Sequence, residues 1–258
     1  MAFLQLPQHR LHYQIEGREG APWLTFCNSL GTDLSMWDAQ AAALADQYRI
    51  LRYDRRGHGQ SDAPPGLYTV AELGADVLAL WDHLQIERSH FCGLSIGGLT
   101  GQWLGVNAGE RLQTLTVAAT AAKIGNAEGW ATRIAQVQAD GLAPMVEGTR
   151  ERWFTPAFSA SHAATVEGVL AKFVATDAAG YAGCCNAVGQ ADFRDQLGRI
   201  TVPVLAIAGL DDPVCSPADL QAIADGVADG RYVGVDGRHI CNIESPDAFT
   251  AALSAFLR

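Results

Sequence analysis

What the chain lacks narrows its possible roles first. No apolar run approaches the ~20 residues that span a bilayer, and Met1-Ala2-Phe3-Leu4-Gln5 carries no signal-peptide pattern. A cytoplasmic protein with no membrane partner is therefore expected. Charged residues are only 18% of the chain and Asp+Glu outnumber Lys+Arg by 28 to 18, with no Lys/Arg run. That balance, a net charge of −10, argues against nucleic acid as a partner. Six cysteines include no Cys-x-x-Cys pair and no His/Cys cluster with zinc spacing. They read as buried free thiols, with no metal site. No cofactor motif is present, so no cofactor is expected. What remains is a 258-residue chain, 48% apolar, large enough for one core with an inserted subdomain.

The most informative stretch is Phe91-Cys92-Gly93-Leu94-Ser95-Ile96-Gly97-Gly98, a Gly-x-Ser-x-Gly motif between a short apolar run and a helix-like segment. A strand that turns straight into a helix forces its corner residue to positive φ, and the corner closes only if the neighbours are small. Gly93, Gly97 and Gly98 meet that demand. Ser95 is thereby held at the exposed tip, and the N–H of Ile96 lies at a helix N-terminus, where positive partial charge collects. A nucleophile and half of an oxyanion hole are placed together.

Around this motif, strand and helix patterns alternate. Strand-like runs fall at 11–16, 22–27, 48–53, 112–118, 202–208 and 232–235, and helical ones at 37–46, 70–84, 217–224 and 246–257. Such alternation predicts an α/β fold with a mostly parallel central sheet flanked by helices. Between residues 121 and 194 only helical patterns occur, near 127–140, 142–152, 162–176 and 178–189. These predict a helical cap inserted after the sixth strand, splitting the core into 1–120 and 195–258.

A serine nucleophile needs a base, and the base needs an orienting group. Gly209-Leu210-Asp211-Asp212-Pro213 sets two carboxylates just past a buried strand, and Gly237-Arg238-His239 sets a histidine before the last helix. His239 is the candidate base. Asp212, fourth in its Gly-x-x-Asp-Pro turn, is favoured over Asp211 as orienter. The second oxyanion donor is expected from the loop after Cys27, at the N–H of Leu30. Arg238, directly before the histidine, has no evident role in the sequence.

The order Ser95, Asp212, His239 is that of the α/β-hydrolases, and the chain resembles that superfamily over nearly its full length. The resemblance rests on Asn28-Ser29-Leu30-Gly31, Tyr53-Asp54-Arg55-Arg56-Gly57-His58-Gly59-Gln60-Ser61, the Ser95 elbow, Gly209 to Pro213 and His239. Most similar are the 3-oxoadipate enol-lactonases of aromatic catabolism (the β-ketoadipate pathway), on Asn28 to Asp33 with Met36-Trp37, Cys92 to Leu99, Arg152-Trp153-Phe154-Thr155 and Asn242-Ile243-Glu244. The resemblance implies a small anionic lactone as substrate. In a protein of net charge −10, a local cation must then override the overall field. Arg133 is the candidate, one position off the apolar stripe Trp130, Ile134 and Val137, with Trp130 or Trp153 walling the ring and Arg150 or Arg152 in reserve. The competing readings are a general carboxylesterase or a carbon–carbon bond hydrolase on the same triad, and a non-catalytic hydrolase-fold receptor. Assembly into a homo-oligomer is left open.

Overall fold

A computed structural model describes residues 2–257 of the chain. The strands are β1 (Ala2–Gln5), β2 (Arg10–Gly17), β3 (Trp23–Cys27), β4 (Arg49–Tyr53), β5 (Ser89–Leu94), β6 (Leu112–Ala118), β7 (Val204–Gly209) and β8 (Gly230–Val235). They form one sheet in the order β1-β2-β4-β3-β5-β6-β7-β8. The pairs β1–β2 and β2–β4 are antiparallel, and every pair from β4 through β8 is parallel. Every residue of β5 and β7 is buried, because helices cover both faces of a parallel sheet; that is why these strands read as continuous apolar runs.

The flanking helices of the first half are α1 (Asp38–Leu44), α2 (Val70–His83) and α3 (Ile96–Asn107). Helix α2 starts at a capping box, with Thr69 accepting from the Glu72 N–H and Glu72 reaching back to the Thr69 N–H. Beyond β6 come five helices with no strand between them: α4 (Ala127–Asp140), α5 (Val146–Trp153), α6 (Pro156–Ser161), α7 (Ala163–Ala175) and α8 (Ala178–Gln190). The core resumes at β7 and ends with α9 (Pro217–Gly226), α10 (Cys241–Glu244) and α11 (Pro246–Phe256). Helix α9 repeats the capping-box device with Ser216 and Asp219. Among the described residues no helix is long and apolar enough to cross a membrane, and all six cysteines are buried and unpaired.

The sequence pattern misses β1, α6 and α10. It also omits a 3-10 turn at Leu34–Trp37, starting its helix only at 37. That turn begins where the Asp33 carboxylate accepts the Ser35 N–H, and it buries Trp37 against Phe26, ring centroids 4.7 Å apart.

The register fixes where the site lies. Cys27 pairs with Gly93, Leu94 with Ala118, Ala118 with Ile207, and Gly209 with Val235. The carboxyl ends of these strands are therefore level. The residues that follow them (Asn28 onward, Ser95, Leu210 to Asp212, and Asp236 to His239) emerge together at one edge of the sheet, the side on which open α/β sheets bind ligands.

Candidate active site

Ser95 occupies the corner between β5 and α3 with φ 59° and ψ −116°. The corner is pinned through its backbone: the Ser95 N–H donates to Ala118 O at 2.9 Å, and Ser95 O accepts from Thr120 Oγ1 at 2.8 Å. Its side chain makes no capping bond and so remains available. The glycines are sterically required. A Cβ on Gly93 would stand 2.1 Å from Gly97 O, and one on Gly97 would stand 2.3 Å from Cys27 O.

His239 and Asp212 come from the loops after β8 and β7. His239 Nδ1 lies 2.8 Å from Asp212 Oδ2, and Asp212 Oδ1 accepts the Val214 N–H at 2.8 Å. An ionised carboxylate can only accept, so Nδ1 carries the imidazole proton and Nε2 keeps its lone pair. Asp211 is exposed, its N–H tied to Gly237 O at 3.0 Å. Ser95 and His239 line one cavity together with Leu30.

The loop bearing Leu30 is held from behind. The Ser29 N–H points to Met36 Sδ at 3.2 Å, and the Gly31 N–H donates to His58 Nε2 at 2.9 Å. Gly31 takes φ 76°, which a glycine tolerates without strain. Among the described residues the Leu30 N–H has no acceptor, and Ile96 is the first residue of α3, whose opening N–H groups have none within the helix. His58 is buried and its pKa is lowered to about 3, first by desolvation and then by the Arg55 guanidinium. It stays neutral and serves as the acceptor that fixes Gly31.

The far wall of the cavity is built by the inserted helices. Trp130 and Arg133 come from α4, Thr149, Arg152 and Trp153 from α5, Phe173 from α7 and Tyr181 from α8. The aromatic rings meet edge to face: Trp153–Phe173 at 5.5 Å and Phe173–Tyr181 at 5.8 Å. The Trp130 indole N–H is anchored on Ile124 O at 2.8 Å. Arg133 lies with its Cζ 5.7 Å from the centre of that indole, a cation–π distance. Arg152 donates to Thr149 Oγ1 at 3.2 Å. Burial, and then the positive charge of Arg133, hold its pKa below the usual guanidinium value. Among the described residues neither guanidinium has a carboxylate within ion-pair distance. Arg150 is spent elsewhere, on Glu167 at 2.7 Å and Glu147 at 3.3 Å.

The inner cavity measures about 100 Å³, of the order that holds a single small ring rather than a long acyl chain. A second hollow of about 270 Å³ opens to solvent and shares Ile124, Trp130, Arg133 and Val214 with it. Arg133 is thus on the wall common to both. A roomier groove of about 400 Å³ lies between α7 and the segment around Met36, but contains neither Ser95 nor His239.

All eight site residues named from the sequence are at or beside this cavity. The pattern did not single out Thr149, Phe173, Tyr181 or Val214, and it held Arg152 only in reserve. One signal was present: Thr149 and Trp153 lie four apart, and Arg152 is on the same helical face, three from Thr149.

Residues 22–165 match the family model described as alpha/beta hydrolase fold. The chain is 45% identical to 3-oxoadipate enol-lactonase 2 of Acinetobacter baylyi over 96% of its length and 93% of the relative's. The enol-lactonase structure from Burkholderia xenovorans LB400 superposes with a TM-score of 0.97 at 42% identity, covering 99% of both chains. A thermophilic esterase from Thermogutta terrifontis gives a TM-score of 0.91 at 25% identity over 97% of this chain and 93% of that one.

Proposed function

The chain belongs to the α/β-hydrolase fold family, and we propose that within it the protein opens 3-oxoadipate enol-lactone to 3-oxoadipate. One observation carries the choice over a general esterase. The cavity lined by Ser95 and His239 is also lined by two guanidiniums, Arg133 and Arg152, and among the described residues no carboxylate lies within ion-pair distance of either. A half-buried cation facing a cavity without a counter-ion is incompletely satisfied, and a substrate carboxylate supplies the missing charge. The enol-lactonase relatives support the same substrate class.

Ser95 Oγ attacks the lactone carbonyl as His239 Nε2 takes its proton, and Asp212 holds the ring in the Nδ1–H tautomer and stabilises the imidazolium. The N–H groups of Leu30 and Ile96 receive the oxyanion. The ring C–O bond then breaks, His239 returns the proton to the leaving enol oxygen, and water releases the acyl group by the same steps in reverse roles. An enolate leaves far more readily than an alkoxide, and its conversion to the ketone disfavours ring closure. The substrate acetate group lies between Arg133 and Arg152, with the ring against Trp130 and Trp153.

Comparing Arg133→Ala on the anionic lactone and on a neutral ester of similar size tests this reading. The anion should lose ~10–150-fold more in kcat/KM than the neutral ester, the equivalent of a charge-assisted hydrogen bond worth ~1.5–3 kcal/mol. Equal losses would favour a general carboxylesterase or a carbon–carbon bond hydrolase. Absence of turnover of either substrate by the parent protein would favour a ligand receptor.

A further inference from the structure

Arg238 precedes His239 where a small residue would serve the turn equally well, and the chemistry above gives it no task. Its surroundings do. The guanidinium Nη1 donates to Glu151 O and, at 3.5 Å, to Phe154 O. These carbonyls belong to the C-terminal end of α5, where the last turn of a helix has no acceptors' partners of its own and carries negative partial charge. The Arg238 N–H donates to Glu244 Oε2 at 2.9 Å, and the Glu244 carboxylate accepts both the Thr155 N–H, at 3.1 Å, and the Thr155 hydroxyl. Between these two clamps the backbones are laced directly. The His239 N–H donates to Arg152 O at 3.4 Å, and the Ile240 N–H to Trp153 O at 3.2 Å.

Two segments far apart in the chain are thus joined, residues 151–155 of the inserted helices and residues 238–244 of the core. The peptide units that hold the backbone of His239 are those whose side chains, Arg152 and Trp153, line the cavity. We infer that Arg238 and Glu244 are positioning residues that lock Arg152 to the histidine loop, holding the inner guanidinium at one fixed separation from the base. Such a clamp makes the enzyme selective for esters whose carboxylate sits at the matching distance from the scissile carbonyl. The inference rests on the anionic-substrate reading proposed above.

A double-mutant cycle tests it. The kcat and KM of the parent enzyme, Arg152→Ala, Arg238→Ala and the double variant are measured on 3-oxoadipate enol-lactone and on its neutral methyl ester. Arg238→Lys, which can still donate to the same carbonyls, and Glu244→Gln are run beside them. Arg238→Ala should lower the preference for the anion over the neutral ester by ~10-fold, within the range that sub-ångström to ångström misplacement produces. In the Arg152→Ala background the same change should lower that preference no further, since the guanidinium it positions is gone. Arg238→Lys should restore most of the preference. If Arg238→Ala fails to fold, as judged by its melting curve, Glu244→Gln should give the same non-additive pattern. Losses that are equal on both substrates, or that add fully to those of Arg152→Ala, would overturn the coupling and leave the anion site standing. An Arg152→Ala enzyme that keeps the parent's preference for the anion over the neutral ester would overturn the Arg152 anion site, and the coupling with it.

Discussion

Acidification from pH 7 to pH 5 should destabilise this protein through His58, a histidine outside the triad. Its Nε2 accepts the Gly31 N–H at 2.9 Å and its Nδ1 lies 3.3 Å from Arg56 O, so the ring is full as a neutral donor and acceptor. Protonating Nε2 would break the Gly31 bond and set a second buried cation beside Arg55. The folded-state pKa is accordingly lowered to about 3, against ~6.5 in an unfolded chain. The sign follows from proton uptake. Between these two values the unfolded chain takes a proton that the folded one refuses, so the contribution is complete above ~6.5 and falls as the pH drops toward 3. From pH 7 to 5 about 1.5 units of that window are crossed, worth ~2 kcal/mol at ~1.36 kcal/mol per unit. His90, lowered to about 4 by burial and then by Arg88, adds a loss of similar size, and the two together are a large part of the ~5–15 kcal/mol that holds a domain folded. Urea unfolding followed by tryptophan fluorescence at both pH values, on the parent protein and on His58→Gln, isolates the first term. A glutamine oxygen can accept the Gly31 N–H but does not titrate, so the variant should lose ~2 kcal/mol less on acidification, whatever its stability at pH 7. An identical loss in both proteins would refute the argument.

Ser95→Ala should lower kcat by at least ~10³-fold while leaving the melting temperature near that of the parent, because the corner is held by backbone bonds to Ala118 and Thr120; kinetics and a melting curve check both halves. Asp212→Asn should cost ~10³–10⁴-fold in kcat by allowing the wrong imidazole tautomer, and Asp211→Asn, at an exposed position, only a few-fold. The reverse ranking would make Asp211 the orienter.

How far the sequence speaks depends on whether a residue's partners are near it in the chain. Strands β5 and β7 are legible because burial on both faces leaves an unbroken apolar run, and α2 because Thr69 and Glu72 mark its start. β1 is not, since its four residues pair only with β2 and carry little pattern of their own. The short helices α6 and α10 contain too few turns to show a 3.6-residue period. In the site, Ser95 announces itself through the steric demands of its own corner. Choosing Arg152 over Arg150 depends on which face of α5 turns inward, and that helix has no broad apolar stripe to say so. The role of Arg238 is invisible locally because its acceptors lie 84 and 87 positions earlier.

The place of Arg133 on the wall shared by the outer hollow and the inner cavity bears on traffic as well as on recognition. If the proposed reaction holds, an ion with one negative charge goes in and one with two comes out of a body of net charge −10. The field of the whole protein therefore resists arrival once and assists departure twice, and guanidiniums at the site offset that resistance for the incoming ion. Screening at physiological salt confines such effects to ~8 Å, so the charges nearest the shared wall count most. With a guanidinium on that shared wall to admit it, the charge that would otherwise repel an acidic substrate becomes a means of clearing product ahead of the next turnover.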